Sequence, residues 1–276
     1  MLTKNYLRNL GICIFISLFV MQLSGCGGAH HKHRYQLSQD GPPSVDIDVS
    51  KIQDAIPKVE PLSKYGNPSS YNTLGKKYYV MKSSFGYSEK GIASWYGMKF
   101  HAHRTSSGEP YDLAAMTAAH KTLPIPTYVL VTNLKTGKEV TVKVNDRGPF
   151  HENRIIDLSY AAAKKLGVFP AGTALVKVTA IDPQNPESAQ AAAKVKPYNP
   201  TLYMQIGAFA QRSNAIRLVA EIKPYTQSPI RIREGAFNGN PIYRVHIGPI
   251  ENVDKSDELH HQLIIHQLGE PITVIE

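Results

Sequence analysis

Hydrophobic positions along this chain change their pattern several times. From Leu10 to Met21 they run almost unbroken for 12 residues behind Lys4 and Arg8. That run is too short to span a bilayer comfortably and matches the apolar core of a signal peptide. From Gly27 to about Lys90 no period is sustained, and Pro42, Pro43, Pro57, Pro61 and Pro68 punctuate the segment. This is the composition of a flexible tether. Between Gly91 and Ile181 short alternating runs take over. Val140, Val142 and Val144 alternate with Thr141 and Lys143, the signature of a half-buried strand. Tyr128 to Asn133 is a second β-rich run, joined to it by a turn at Lys135-Thr136-Gly137, and Leu175 to Ile181 alternates similarly. One helix interrupts the strands: Ser159 caps it, Ala161 to Leu166 favour it, Lys164 and Lys165 suit its C-terminal end, and Gly167 stops it. Short strands with a lone helix predict a compact β-barrel.

Asp182 to Pro200 reads as a second linker, with four prolines around an Ala/Gln-rich stretch. Beyond it the order is strand, helix, strand, strand, helix, strand, over 203–209, 213–222, 230–234, 242–248, 254–268 and 273–275. This predicts a small α+β domain with both helices on one face of an antiparallel sheet and the other face open. Strict alternation sends Met204 and Ile206 toward the helices and Tyr203, Gln205 and Phe209 the other way. On the paired strand Tyr243, Val245 and Ile247 read as buried, leaving Arg244 and His246 exposed. A face of Gln, Arg, His and aromatics suits stacking on sugars and hydrogen bonding to them.

Composition adds two constraints. The 276 residues are 42% hydrophobic and 19% charged, ordinary for a globular protein. The 31 Lys+Arg against 22 Asp+Glu give +9, without the concentrated basic stripe of a nucleic-acid binder. Such a balance suits a carboxylate-rich polymer or an anionic membrane surface, or serves solubility alone. The two cysteines are Cys13 and Cys26, and Leu23-Ser24-Gly25-Cys26 resembles the bacterial lipoprotein signal. That resemblance implies cleavage before Cys26, acylation of its thiol, and a mature chain with neither free thiol nor disulfide. Several acyl chains anchor firmly, and Gly27, standing where an aspartate would favour inner-membrane retention, points to the periplasmic face of the outer membrane. His30, His31 and His33 form a short tract without companion metal ligands.

The candidate chemistry sits between the linkers. Asp146 ends a strand and is followed by Arg147-Gly148-Pro149, a turn that would hold it at a barrel rim. A carboxylate there acts as an acid or base if its pKa is raised by burial or a neighbouring charge. Arg147 would oppose that if it pointed at Asp146, but adjacent side chains in a strand diverge. Read alone, an Asp-Arg-Gly-Pro turn equally supplies a structural turn residue, His120 a hydrogen-bonded structural histidine, and Trp95 either core or a sugar platform. No metal-ligand spacing, nucleotide loop or nucleophile elbow is present, so no cofactor is expected.

Five motifs in order, Ala93-Ser94-Trp95-Tyr96-Gly97, Thr105-Ser106-Ser107-Gly108-Glu109, Thr117 to Pro124, Val144 to Phe150 and Arg154 to Ser159, resemble the rare lipoprotein A (RlpA) family. Gln205 to Phe209, Tyr243-Arg244-Val245 and Gly248-Pro249 resemble the SPOR domain. The resemblance implies a six-stranded double-psi β-barrel, mainly β, followed by a ferredoxin-like α+β SPOR domain. The resulting divisions are a signal peptide 1–25, acylated tether 26–90, catalytic barrel 91–182, linker 183–200 and SPOR domain 201–276. It further implies an endolytic lytic transglycosylase that cleaves MurNAc–GlcNAc bonds to 1,6-anhydro products, preferring denuded strands at the division septum beside divisome partners. Asp146 would be the acid/base, with Glu109 and His120 tuning it or orienting the sugar. Trp95, Tyr96, Gln205, Phe209 and Arg244 are the expected glycan contacts. Two alternatives stay open: an expansin-like binder without catalysis, and a hydrolase in which Glu109 or Asp112 activates water.

Overall fold

The computed structural model describes residues 37–151, 153–187 and 196–276. The expected signal peptide, Cys26 and the histidine tract lie outside the described residues. Among the described residues, eight strands precede the second linker: β1 (Ser70–Thr73), β2 (Lys76–Tyr79), β3 (Ser88–Tyr96), β4 (Thr117–His120), β5 (Thr127–Asn133), β6 (Glu139–Asp146), β7 (Arg154–Ser159) and β8 (Ala174–Ala180). β1 and β2 form a separate hairpin, and the other six close a barrel in the order β3-β7-β4-β6-β5-β8. The β3–β7 and β4–β6 pairs are parallel and the rest antiparallel. This crossed weave is the double-psi arrangement. Its interior is small and branched: Ala93, Ala118, Val129, Val131, Val140, Val142, Val144, Ile156, Leu158, Val176 and Val178. α1 (Tyr160–Leu166) starts where Ser159 Oγ accepts from the Ala162 amide and ends at Gly167, whose φ of 80° only a glycine adopts readily.

The segment expected to be a flexible tether is, from residue 37 on, laid along the barrel. Its acidic residues recur every few positions and each finds a partner. Asp40 accepts from the Gly97 and Lys99 amides at 2.8 and 3.0 Å, and Asp46 meets Lys164 and Tyr160. Asp54 takes the Thr141 amide and Lys165, and Glu60 takes Lys143 and Tyr128. Asn67 pairs with both backbone groups of Ile125. The prolines keep the segment extended and remove donors that would otherwise need partners. Gly97 makes the closest approach possible, since a Cβ there would stand 2.1 Å from the Gly41 carbonyl oxygen. The strip explains why every residue of β5 is buried, on both faces, instead of alternating.

The C-terminal domain contains β9 (Leu202–Phe209), α2 (Arg212–Ile222), β10 (Ile230–Phe237), β11 (Asn240–Ile250), α3 (Val253–Ile265) and β12 (Ile272–Ile275). Its antiparallel sheet has the order β10-β11-β9-β12. Two expectations change here. The β11–β9 register slips between Val245 and His246, leaving Ile206 as the extra residue of a bulge. The bulge switches the parity of alternation, so Phe209 packs with the helix-side core instead of standing beside Gln205 on the far face. His246, expected to be exposed, is 3% accessible. Its Nε2 pairs with Gln205 Oε1 at 3.2 Å, and the Arg231 guanidinium lies 3.8 Å from the neighbouring Tyr203 ring centre while pairing with Glu276. The far face thus has its own polar cover.

The barrel and C-terminal cores also meet. Ile92 and Leu134 of the barrel share a buried cluster with Leu202, Met204 and Ile247. Asp257 of α3 takes both terminal nitrogens of Arg154 at 3.0 and 2.6 Å and the Asn153 amide at 3.1 Å.

Candidate active site

Asp146 closes β6 as the strand leaves the barrel, and the loop after β3 folds back onto it. The Ser106 amide and hydroxyl donate to Asp146 Oδ1 at 2.8 and 2.6 Å, and the Arg147 amide donates to the same oxygen at 2.7 Å. Oδ2 is left as the oxygen these bonds do not occupy. The Arg147 side chain turns away, as strand alternation requires, and donates to the carbonyls of Gly66, His120 and Leu123 and to Asn67 Oδ1. It pins the Asp-Arg-Gly-Pro turn without forming an ion pair with Asp146.

Glu109 is brought to the same junction. Its Oε2 accepts from Asn145 Nδ2 at 2.9 Å and its Oε1 pairs with Lys143 at 3.0 Å. Burial pushes this carboxyl up, but the Asn145 amide and the Lys143 ammonium outweigh it and hold it below its ordinary value. Glu109 therefore stays ionised beside Asp146 and braces the residue preceding it.

His120 goes elsewhere. Its ring is 3% exposed, Nδ1 accepts from the Thr122 and Leu123 amides at 3.2 and 3.0 Å, and Nε2 meets the Tyr87 hydroxyl at 2.9 Å. Two amide donors at Nδ1 place the proton on Nε2, which donates to Tyr87, and Tyr87 donates to Glu89 at 2.8 Å. Burial, then Arg147 and Lys121, lower its pKa to about 3. Neither ring nitrogen is turned to Asp146. The link to the site runs through the backbone, because the turn that His120 organises presents the two carbonyls holding Arg147. His120 also lines a cavity of about 310 Å³ with Glu89, Lys121, Arg154 and Thr273.

The aromatic expectations divide. Tyr96 is buried and stacked on Tyr111 with ring centres 4.1 Å apart. Trp95 is half-buried, edge-on to Tyr160 and Phe169, and both belong to the packing outside the barrel. Asp112 caps its own turn through the Ala114 amide. In the C-terminal domain Gln205 and Arg244 remain half-buried on the far face of the sheet. Ser106, which positions the Asp146 carboxyl, gave only the weak signal of a Ser-rich turn before a glycine. Among the described residues no group of three or more His, Cys, Asp or Glu is placed to hold a metal ion.

Residues 88–178 match the family profile described as lytic transglycolase, and residues 198–269 match that of the SPOR domain. Fold and profiles together define a protein in which a double-psi barrel of the lytic transglycolase type precedes a SPOR domain. The chain is 40% identical over 305 aligned residues to "endolytic peptidoglycan transglycosylase RlpA" of Pseudomonas aeruginosa strain UCBPP-PA14, across 91% of this chain and 87% of that one. It is 43% identical over 246 residues to the protein of the same name from Vibrio cholerae, across 89% and 90%. It belongs to the RlpA family. A crystal structure of the RlpA SPOR domain from Pseudomonas aeruginosa aligns at 33% identity and a TM-score of 0.26, covering 26% of this chain and 96% of that one.

Proposed function

We propose that this chain is an endolytic peptidoglycan transglycosylase and that Asp146 takes part directly in bond cleavage. The supporting observation is the junction itself, where a loop and a strand end fix one oxygen of Asp146 with three donors and leave the other for substrate. In a lytic reaction the glycosidic oxygen between MurNAc and GlcNAc gains a proton while the C6 hydroxyl of MurNAc loses one. The C6 oxygen then closes on C1 and water is not consumed. A carboxyl group at this position can serve both transfers, without the water-activating partner an inverting hydrolase needs. Glu109, held ionised, braces Asn145 and the loop, and His120 acts as a positioning residue through Arg147.

The SPOR domain supplies glycan binding, with denuded strands at the division septum as the target and Gln205 and Arg244 as contacts. Acylation at Cys26 places the chain on the periplasmic face of the outer membrane, in reach of divisome proteins. Radiolabelled fatty acid incorporated by the wild type and absent from Cys26→Ser tests the anchor. The catalytic reading is tested by mass spectrometry of glycan incubated with the protein. Anhydro-muramic ends are expected, and Asp146→Asn should lower their formation by about 10²–10⁴-fold with an unchanged melting curve. Reducing ends would instead show a hydrolase, and unchanged glycan a binder.

A further inference from the structure

Strand register places a second carboxylate beside the first. β4 lies between β6 and β7, and Ala119 is the register partner of Asp146 on one side and of Asp157 on the other. Asp157 is in turn the partner of Ser94 on β3. Register partners present their side chains to the same face of a sheet. The preceding row, Val144, Ala118 and Leu158, lies in the barrel core. β6 carries one extra residue, Asn145, between Val144 and Asp146, and this bulge switches the parity of alternation, so that the row Ser94–Asp157–Ala119–Asp146 faces outward. Two strand spacings, about 10 Å between α-carbons, separate the aspartates. Ala119 stands between them in the register, and the Tyr96 phenol is close enough to feel both carboxylates.

The turn after Asp146 folds back over this gap. A Cβ at Gly148 would lie 3.7 Å from the Ala119 methyl and 3.9 Å from Asp157 Oδ2, so the glycine leaves open the space beside that oxygen. The Ser94 hydroxyl donates to Asp157 Oδ1, which leaves Oδ2 on the side of the turn.

We propose that Asp157 is the proton donor of the cleavage step and that Asp146 is its base. The assignment rests on the reading of Asp146 as catalytic and divides the labour given there to one group. The Asp157 carboxyl passes its proton to the bridging oxygen as the C1–O4 bond breaks, and GlcNAc leaves as the neutral alcohol. Asp146 takes the proton of the C6 hydroxyl as the O6–C1 bond forms. The substrate is neither oxidised nor hydrated, and one proton returning through solvent from Asp146 to Asp157 restores the enzyme.

The environments separate the two roles. Burial raises the Asp157 pKa to about 6, against the pull of the Ser94 hydroxyl, Arg154 and Lys121, with Asp40 adding to the rise. The phenols of Tyr96 and Tyr111 also face it and stay protonated, raised first by their own burial. A carboxyl with that value carries its proton in mildly acid solution and can still release it. Glu109, the acid braced beside Asp146, is held ionised against its burial by Asn145 and Lys143 and is unsuited to donate.

The test uses the full chain, two substrates and the variants Asp157→Asn, Asp146→Asn and Ser94→Ala. The substrates are naked glycan strands and a MurNAc β-glycoside whose 2,4-dinitrophenolate leaving group departs without protonation. Asp157→Asn should lose about 10²–10⁴-fold on glycan yet stay within about tenfold of wild type on the aryl glycoside. Asp146→Asn should fail on both. Wild-type turnover should decline as pH rises through about 6, and Ser94→Ala, which removes a bond to the ionised form, should move that limb to higher pH. Wild-type turnover of glycan by Asp157→Asn beside a dead Asp146→Asn would overturn the proposal and keep the broader reading. Full activity in both variants would overturn that reading too. Equal losses of Asp157→Asn on the two substrates, or a limb that Ser94→Ala does not move, would also remove Asp157 as the acid. The wild-type and Ser94→Ala profiles decide the matter even if Asp157→Asn fails to fold.

Discussion

Replacing His120 by asparagine separates a titrating histidine from a structural one. The amide oxygen of asparagine occupies the position of imidazole Nδ1 and can still accept from the Thr122 and Leu123 amides, while the contact with Tyr87 is lost. At pH 7.5 the variant should lose about 1–3 kcal/mol, the cost of one buried partner left unmatched. His120→Ala leaves both amides without an acceptor as well and should cost several kcal/mol, with turnover falling in step. The pH dependence carries the sign. His120 moves from 6.5 to about 3 on folding, so the folded state favours the neutral ring. The associated stability is complete above pH 6.5 and drains away as the pH falls toward 3. The fall from 6.5 to about 3 corresponds to about 5 kcal/mol at most. Urea melts of wild type and His120→Asn between pH 7.5 and 4 should therefore converge and then cross. Turnover of His120→Asn at pH 7 should stay within about tenfold of wild type, since a positioning group does not transfer the proton. A hundredfold loss with an unaltered melt, or parallel stability curves down to pH 4, would refute the structural account of this residue.

Asp257→Ala leaves Arg154, 7% exposed, without its bidentate partner. It should cost about 3–5 kcal/mol, measured as a lower melting midpoint. Gly97→Ala drives a Cβ into the Gly41 carbonyl, so limited proteolysis should cut residues 37–60 faster while the barrel core stays resistant. Asp157→Asn should be more stable than wild type at pH 7.5 by up to about 3 kcal/mol, because burial penalises the ionised carboxylate above its raised pKa near 6. That advantage should vanish below pH 3.8 in paired denaturant melts, where both folded and unfolded wild type hold the proton.

Of the barrel strands, β6 and β8 were legible by alternation and β5 as a β-rich run, and the six elements of the second domain by their periodicity, whereas β3, β4 and β7 lay in stretches known only through motif resemblance. The strip over residues 37–67 was not. An extended proline-rich segment has no period, and its attachment depends on single carboxylates meeting lysines and amides that are distant in sequence. One inserted residue at Ile206 was enough to move Phe209 to the other side of its sheet. At the site, Asp146 and Glu109 were legible through motif resemblance, and the structure joins them through Asn145. His120 was assigned to the same cluster, yet its ring points into the protein. Asp157 stood in a quoted motif with no role attached. Its place beside Asp146 follows from the order β3-β7-β4-β6, and parallel neighbours joined by long crossovers leave no mark in local sequence.

That weave also governs when the barrel can exist. β3, its first strand, is bonded on one edge to β7 and on the other to β8, the last two strands to be made. No sequence-adjacent hairpin can shelter it, so the first strand waits, apolar residues uncovered, until nearly the whole barrel is available. Closure of such long loops comes before any reward from their contacts, which slows folding and lengthens exposure to aggregation. A chain built this way remains threadable through a narrow translocation channel until its final strands emerge. It commits to its shape late, in the compartment where the last strand arrives.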